Sequence, residues 1–125
     1  MSISPWSFEI NVKSPNQIHL ASVTNANEIA MGAPTSGILS IDGKIISNSC
    51  NPSIMWSNDS KYLAFPEWTR FNDQKLVVYS VSSGELKRFP KNYRVLEIQQ
   101  FIGRHIKAVD SPICKPKEID LEIDF

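Results

Sequence analysis

The side chains that could do chemistry here are two histidines, two cysteines and a scatter of carboxylates. His19, His105, Cys50 and Cys114 lack the short spacing that gathers zinc ligands, so the sequence points to no metal site. His105 at a hairpin turn, with Asp110 following, invites a triad reading, yet no serine sits in a G-x-S-x-G elbow. Glu9, Glu67 and Glu97 could pair for acid–base work, as carboxylates can in any β chain of this size. The chain has five glycines, and no glycine-rich loop precedes a helix, so no phosphate cradle is expected. These residues predict a protein that is not an enzyme and carries no cofactor.

What must position any functional group is a chain of 125 residues, the length of one domain. Hydrophobic residues make up 42% and charged residues 21%, which fits a globular protein rather than a disordered one. No apolar run approaches the roughly 20 residues of a membrane span. The opening MSISPWSFEI has no basic region followed by an apolar one, so a secretory signal is not expected and the chain reads as cytoplasmic. In that compartment Cys50 and Cys114 are expected as reduced, partly buried thiols, a single disulfide between them being the minority reading. The sequon Asn58-Asp59-Ser60 would matter only in an exported protein. Net charge is zero, which argues against a protein built to neutralise nucleic-acid phosphates.

The hydrophobic period is two almost everywhere. Phe8, Ile10 and Val12 alternate with Glu9 and Asn11, and Ile18, Leu20 and Val23 follow a turn at Ser14-Pro15-Asn16. Residues 28–31 read as a short apolar strand. Asp42-Gly43 between two apolar runs predicts a hairpin. Residues 54–57 and 61–65 flank a turn at Asn58-Asp59-Ser60, and KLVVYSV at 75–81 is the most β-prone run. A turn at Ser82-Ser83-Gly84 leads to 85–89, and residues 94–102 and 105–109 form a last hairpin. Residues 95–102 could be bent toward helix, but β-branched residues and eight prolines in the chain weigh against it. Ten or eleven short strands are expected.

Internal similarity accompanies this pattern. INVKSPNQIHLA, IMWSNDSKYLA and IQQFIGRHIKA place Ile10, Ile54 and Ile98 at a spacing of 44. Ile18, Tyr62 and Ile106 follow the same spacing, as do Leu20, Ala64 and Ala108. EIAMGAPTSGIL aligns with KLVVYSVSSGEL at an offset of 47, which an insertion of three residues would reconcile. The repeat-like units run over about residues 8–50, 51–94 and 95–125 of a single domain.

Around residues 53–90 the sequence resembles a blade of the WD-repeat and TolB-type propellers. IMWSNDSKYLAF followed by QKLVVYSVSSGELKRF carries the resemblance, with Asn58, Ser60 and Ser80 where the family has proline, glycine and aspartate. The smallest common propeller needs roughly 160 residues, so this chain cannot close a ring alone. The fold expected is all-β: antiparallel sheets of blade-like units, packed as an open sandwich or partial barrel rather than a closed propeller.

Two features stand out as candidate partner-binding sites. PEWTRFND, at 66–73, reads as an insertion loop presenting Glu67, Trp68, Arg70 and Phe71, and Trp and Arg are enriched at interface hot spots. Alternatively, Trp68 and Phe71 fold back to cap the core. The second feature is charge hidden under the zero total. Residues 85–117 carry a net +5, whereas Glu118, Asp120, Glu122 and Asp124 give the ending EIDLEIDF −4. Ile119, Leu121, Ile123 and Phe125 alternate with those acids, so a strand there buries its apolar side and presents a ladder of carboxylates. Such a ladder either steers a basic partner or guards a sheet edge against aggregation.

Along nearly its whole length the chain also resembles small bacterial proteins encoded beside polymorphic toxins, through IMWSNDSKYLAFPEWTR, QKLVVYSVSSGEL and IKAVDSP. The resemblance implies an immunity protein that binds and neutralises a cognate protein toxin in the cytoplasm. The acidic ending suits a basic, nucleic-acid-attacking toxin. Direct contact with nucleic acid or membrane is not expected. The alternative is a propeller-like scaffold or assembly module that completes its sheet with another chain, with self-association through open edges. A third class, a carbohydrate-binding domain stacking sugars on Trp56, Trp68 and Tyr62, is weakened because Trp56 reads as core.

Overall fold

The computed structural model describes residues 2–29, 33–111, 113 and 115–123. Among the described residues there are eleven strands and no helix: β1 (Ile10–Lys13), β2 (Leu20–Glu28), β3 (Thr35–Ile41), β4 (Lys44–Cys50), β5 (Met55–Trp56), β6 (Tyr62–Trp68), β7 (Gln74–Ser80), β8 (Leu86–Arg88), β9 (Leu96–Ile102), β10 (His105–Asp110) and β11 (Lys117–Glu122). All pairings are antiparallel. The all-β class expected from period-two alternation and the open, unclosed arrangement expected from the chain's length are both present. No helix is long and apolar enough to cross a membrane among the described residues.

The strands form three layers. β1 to β4 make a meander that passes, through the single pairing Cys50↔Glu67, into a second meander of β6 to β8 with β5 beside β6. β9 to β11 form a separate sheet. Ala21, Val23, Leu39 and Ile41 of the first layer pack against Leu63, Phe65, Val77 and Tyr79 of the second. Ala64, Leu76 and Val78 point the other way, onto Leu96, Ile98, Phe101 and Ile106 of the third. This is why KLVVYSV lacks polar alternation: β7 is covered on both faces. Burying each of its large apolar side chains contributes roughly 1.5–3 kcal/mol.

Turn chemistry fixes the strand ends. Asp42 (φ 50°) and Gly43 (φ 83°) are both left-handed, the requirement of a tight two-residue hairpin. Gly37 serves a different purpose. A Cβ there would lie 2.7 Å from the Val23 side chain and 2.8 Å from the Thr24 carbonyl, so only glycine lets β3 pass β2.

The three hairpins built on β1–β2, β5–β6 and β9–β10 lie side by side. Trp56 Nε1 donates to the Val12 carbonyl at 3.0 Å, and the Asn16 amide donates to Ser60 Oγ at 2.9 Å. The Gly103 amide donates to Asn58 Oδ1 at 2.7 Å. The aligned triplets nevertheless do not occupy like environments: Ile18 and Leu20 are 70% and 39% exposed, while Ala64, Ile106 and Ala108 are buried. The alignment at offset 47 also separates, since Ser36 to Leu39 lie inside β3 while Ser83 and Gly84 form a turn.

Two boundaries differ from expectation, while the strand expected at 94–102 is present. β2 is longer than read, reaching Glu28, so the short strand assigned to 28–31 does not begin there; residues 30 and 31 lie outside the described residues. Residues 95–102, the one candidate for helix, are mostly β9. Pro66, Glu67 and Trp68 belong to β6, not to an insertion loop, and pair with Leu76, Lys75 and Gln74.

Candidate functional site

The β6–β7 hairpin ends in a five-residue turn, 69–73, that is braced internally. The Thr69 amide donates to the Asp73 carbonyl at 2.8 Å, the Thr69 hydroxyl donates to the Asp73 carboxylate, and the Phe71 amide donates to Thr69 Oγ1 at 3.2 Å. This bracing holds Arg70 and Phe71 outward. The Arg70 guanidinium lies 5.2 Å from the Phe71 ring centroid, and Phe71 is 77% exposed. An aromatic ring this exposed on a braced turn is free to bury itself in another surface.

The other two residues read into this site have structural tasks. Trp68 is half-buried, and its Nε1 donates to the Thr35 carbonyl at 3.0 Å, tying β6 to the start of β3. Glu67 accepts from the Ser47 hydroxyl at 2.7 Å and from Arg88 Nε at 2.8 Å, linking β4 to β8 over β6 and β7. The hydrogen bond from Arg88 to Glu67 raises the Arg88 pKa further. Glu67 is 17% exposed by side chain. The site therefore divides: Arg70 and Phe71 face solvent, whereas Glu67 and Trp68 hold the scaffold beneath them.

The carboxylate ladder lies on a different layer. Glu118, Asp120 and Glu122 are exposed on β11, while Ile119 and Leu121 turn inward onto the second core, joined by Ile123 beyond the strand. Asp124 lies outside the described residues. β10 sets His105 opposite Glu122 and Lys107 opposite Asp120, and His105 Nε2 pairs with the Asp120 carboxylate. Asp110 does not partner His105. Its carboxylate instead accepts the backbone amides of Arg94 and Val95 at 3.1 Å each, closing the loop into β9.

One constellation escaped the sequence reading. His19 Nδ1 and Asp42 Oδ2 are 2.6 Å apart, and the Leu20 amide donates to Asp42 Oδ1 at 2.9 Å. The bond to His19, with the Leu20 amide second, holds the Asp42 carboxyl below the usual range. His19 also stacks on Trp56 and lines a groove of about 520 Å³ with Asn16, Asp59, Ser60, Lys61, Tyr62 and Val81. His19 and the Asp42 that orients it through Nδ1 are the second and third members of a triad without its first: among the described residues no serine or cysteine bonds to the ring. The only advance signal was the Asp42-Gly43 turn, which fixes Asp42 but does not show that β2 brings His19 beside it.

Cys50 is free and fully buried, and burial pushes its thiol pKa well up, with Glu67 adding to the effect. Cys114 lies outside the described residues. Among the described residues no three of His, Cys, Asp and Glu come together as metal ligands. Trp56 is core and spends its N–H on Val12, which removes it from any sugar-stacking platform. Comparison with family models, with curated proteins and with solved structures returns no match.

Proposed function

We propose that the protein is a binding protein that acts without catalysis, and specifically a cytoplasmic immunity protein that neutralises a cognate bacterial toxin. The observation that carries this reading is the Arg70–Phe71 pair, a cation and an exposed ring on a turn braced by Thr69 and Asp73. A prearranged aromatic anchor loses little conformational entropy when it is buried in a partner, which is what a tight inhibitor requires. The carboxylates on β11 supply charge opposite to that of a basic cleft.

Co-expression tests it. If the gene beside this one encodes a toxin domain, producing the two together should restore growth, and the pair should purify as one complex. Growth arrest that persists while this protein accumulates in folded form would end the immunity reading. The second reading, a module that completes its sheet with another chain, is favoured by one observation: β11 pairs with β10 alone among the described strands.

A further inference from the structure

Among the described strands the third layer is the smallest. The first two layers each have four strands, with β8 on the outer side of β7, while the third has three and ends at β11. β11 is paired with β10 from Lys117 to Glu122, so one side of its backbone is satisfied and, among the described strands, the other is an edge. No proline or bulge interrupts its pairing with β10. β9, at the opposite side of the same sheet, is treated differently: Ser53, Asn51 and Gln74 side chains bond its backbone groups at Ile98 and Leu96.

The flanks of the β11 edge show what would fit there. Ile119 and Leu121 reach the second core but are only half-buried. Phe89, which follows β8 at the outer margin of the middle layer, packs on the same core and is also half-exposed. On the solvent side, Glu118, Asp120 and Glu122 face Lys107 and His105 from β10 and nothing from the other side among the described strands. A second copy of β11 is a poor occupant, because antiparallel self-pairing brings carboxylate rows together.

We propose that the free edge of β11 accepts an extended segment of a partner protein as a fourth strand. Its apolar residues would cover Ile119, Leu121 and Phe89, and its alternate residues would be lysine or arginine set beside Glu118, Asp120 and Glu122. Main-chain hydrogen bonds supply affinity in this mode, and the alternating side chains supply selectivity. The inference rests on the binding-protein reading and names how the partner is engaged.

The test uses the full chain and a peptide of about ten alternating lysine and valine residues, long enough to span a strand. Its binding should slow amide hydrogen exchange in residues 117–122 by about tenfold or more. The same peptide N-methylated at alternate residues keeps its charge but loses its donors, and should give no protection. An alternating glutamate–valine peptide should not bind the native chain. It should bind a variant carrying Glu118→Lys, Asp120→Lys and Glu122→Lys. No protection by the basic peptide, or equal protection by its N-methylated form, overturns the proposal, and neither result depends on the variant folding. A toxin that this protein neutralises without any change in β11 exchange overturns the added strand and leaves the immunity reading intact.

Discussion

The Gln74 side-chain carbonyl accepts the backbone N–H of Leu96 at 2.7 Å, joining the second layer to the third where no strand pairing does. The same oxygen accepts from Asn51 Nδ2 at 3.1 Å, and Gln74 is fully buried. With Ser53 at Ile98, three side chains thus stand in for a neighbouring strand along part of β9. Removing this acceptor strands a buried donor, whose desolvation is not recovered.

Gln74→Met, close in shape, should therefore lower stability by about 1–3 kcal/mol. Urea unfolding with an unchanged m-value would show it. A loss no larger than that of an exposed substitution such as Gln100→Met would show that the Leu96 amide finds another acceptor.

Ser60 gives a second prediction. It holds φ 65°, a conformation that disfavours a Cβ, and its hydroxyl accepts from the Asn16 amide. Ser60→Ala keeps the strain and loses the bond, so it should cost about 1–2 kcal/mol. Ser60→Gly loses the bond but relieves the strain and should fall within about 1 kcal/mol of wild type. The order of the two melting temperatures decides the matter.

Acid stability follows from Asp42 and Asp59. The His19 ring and then the Leu20 amide lower the Asp42 pKa. Burial pushes Asp59 up, but bonds from the Ser57 hydroxyl and the Lys61 amide outweigh it and leave it lowered. A folded pKa below the unfolded one means that the contribution is present above about pH 4 and is lost as pH falls through the folded values. The urea midpoint should drop from about pH 4 downward, and more shallowly in a variant carrying Asp42→Asn and Asp59→Asn. Equal slopes for the two proteins would place the acid sensitivity elsewhere.

Binding variants should separate by layer of support. Phe71→Ala and Arg70→Ala touch only solvent-facing groups, so both should fold normally and speed release of a bound toxin by about thirtyfold, roughly 2 kcal/mol. Trp68→Ala removes a half-buried ring and its bond to Thr35, and should instead destabilise the fold by about 2–4 kcal/mol. Surface plasmon resonance beside thermal unfolding distinguishes the two effects. Unchanged release from both Arg70 and Phe71 variants would move the interface off this turn.

Local pattern revealed most strands because alternation is a local property. The Asp42-Gly43 hairpin and the inward set of Ile119, Leu121 and Ile123 could be read in the same way. Pro66 misled the reading of β6 because a proline normally argues against a strand interior. Its carbonyl accepts the Asn51 amide, so its absent N–H also faces the junction between β4 and β5 rather than β7. Of the candidate site, a turn within residues 66–73 was legible, but composition left open whether Phe71 folds back onto the core; it is 77% exposed. The tasks of Glu67 and Trp68 were not legible, because Ser47, Arg88 and Thr35 reach them from other strands. His19 and Asp42 were hidden for the same reason.

Because β6 and β7 supply one wall of both cores, neither outer layer owns a core that could persist without them. Loosening the middle sheet exposes apolar surface on its two sides at once. Partial unfolding that spares one half of the molecule is therefore costly, and the chain should come apart in a single cooperative step despite its layered construction. Slowest-exchanging amides should then belong to Leu63, Phe65, Val77 and Val78, the residues from which both halves take their support.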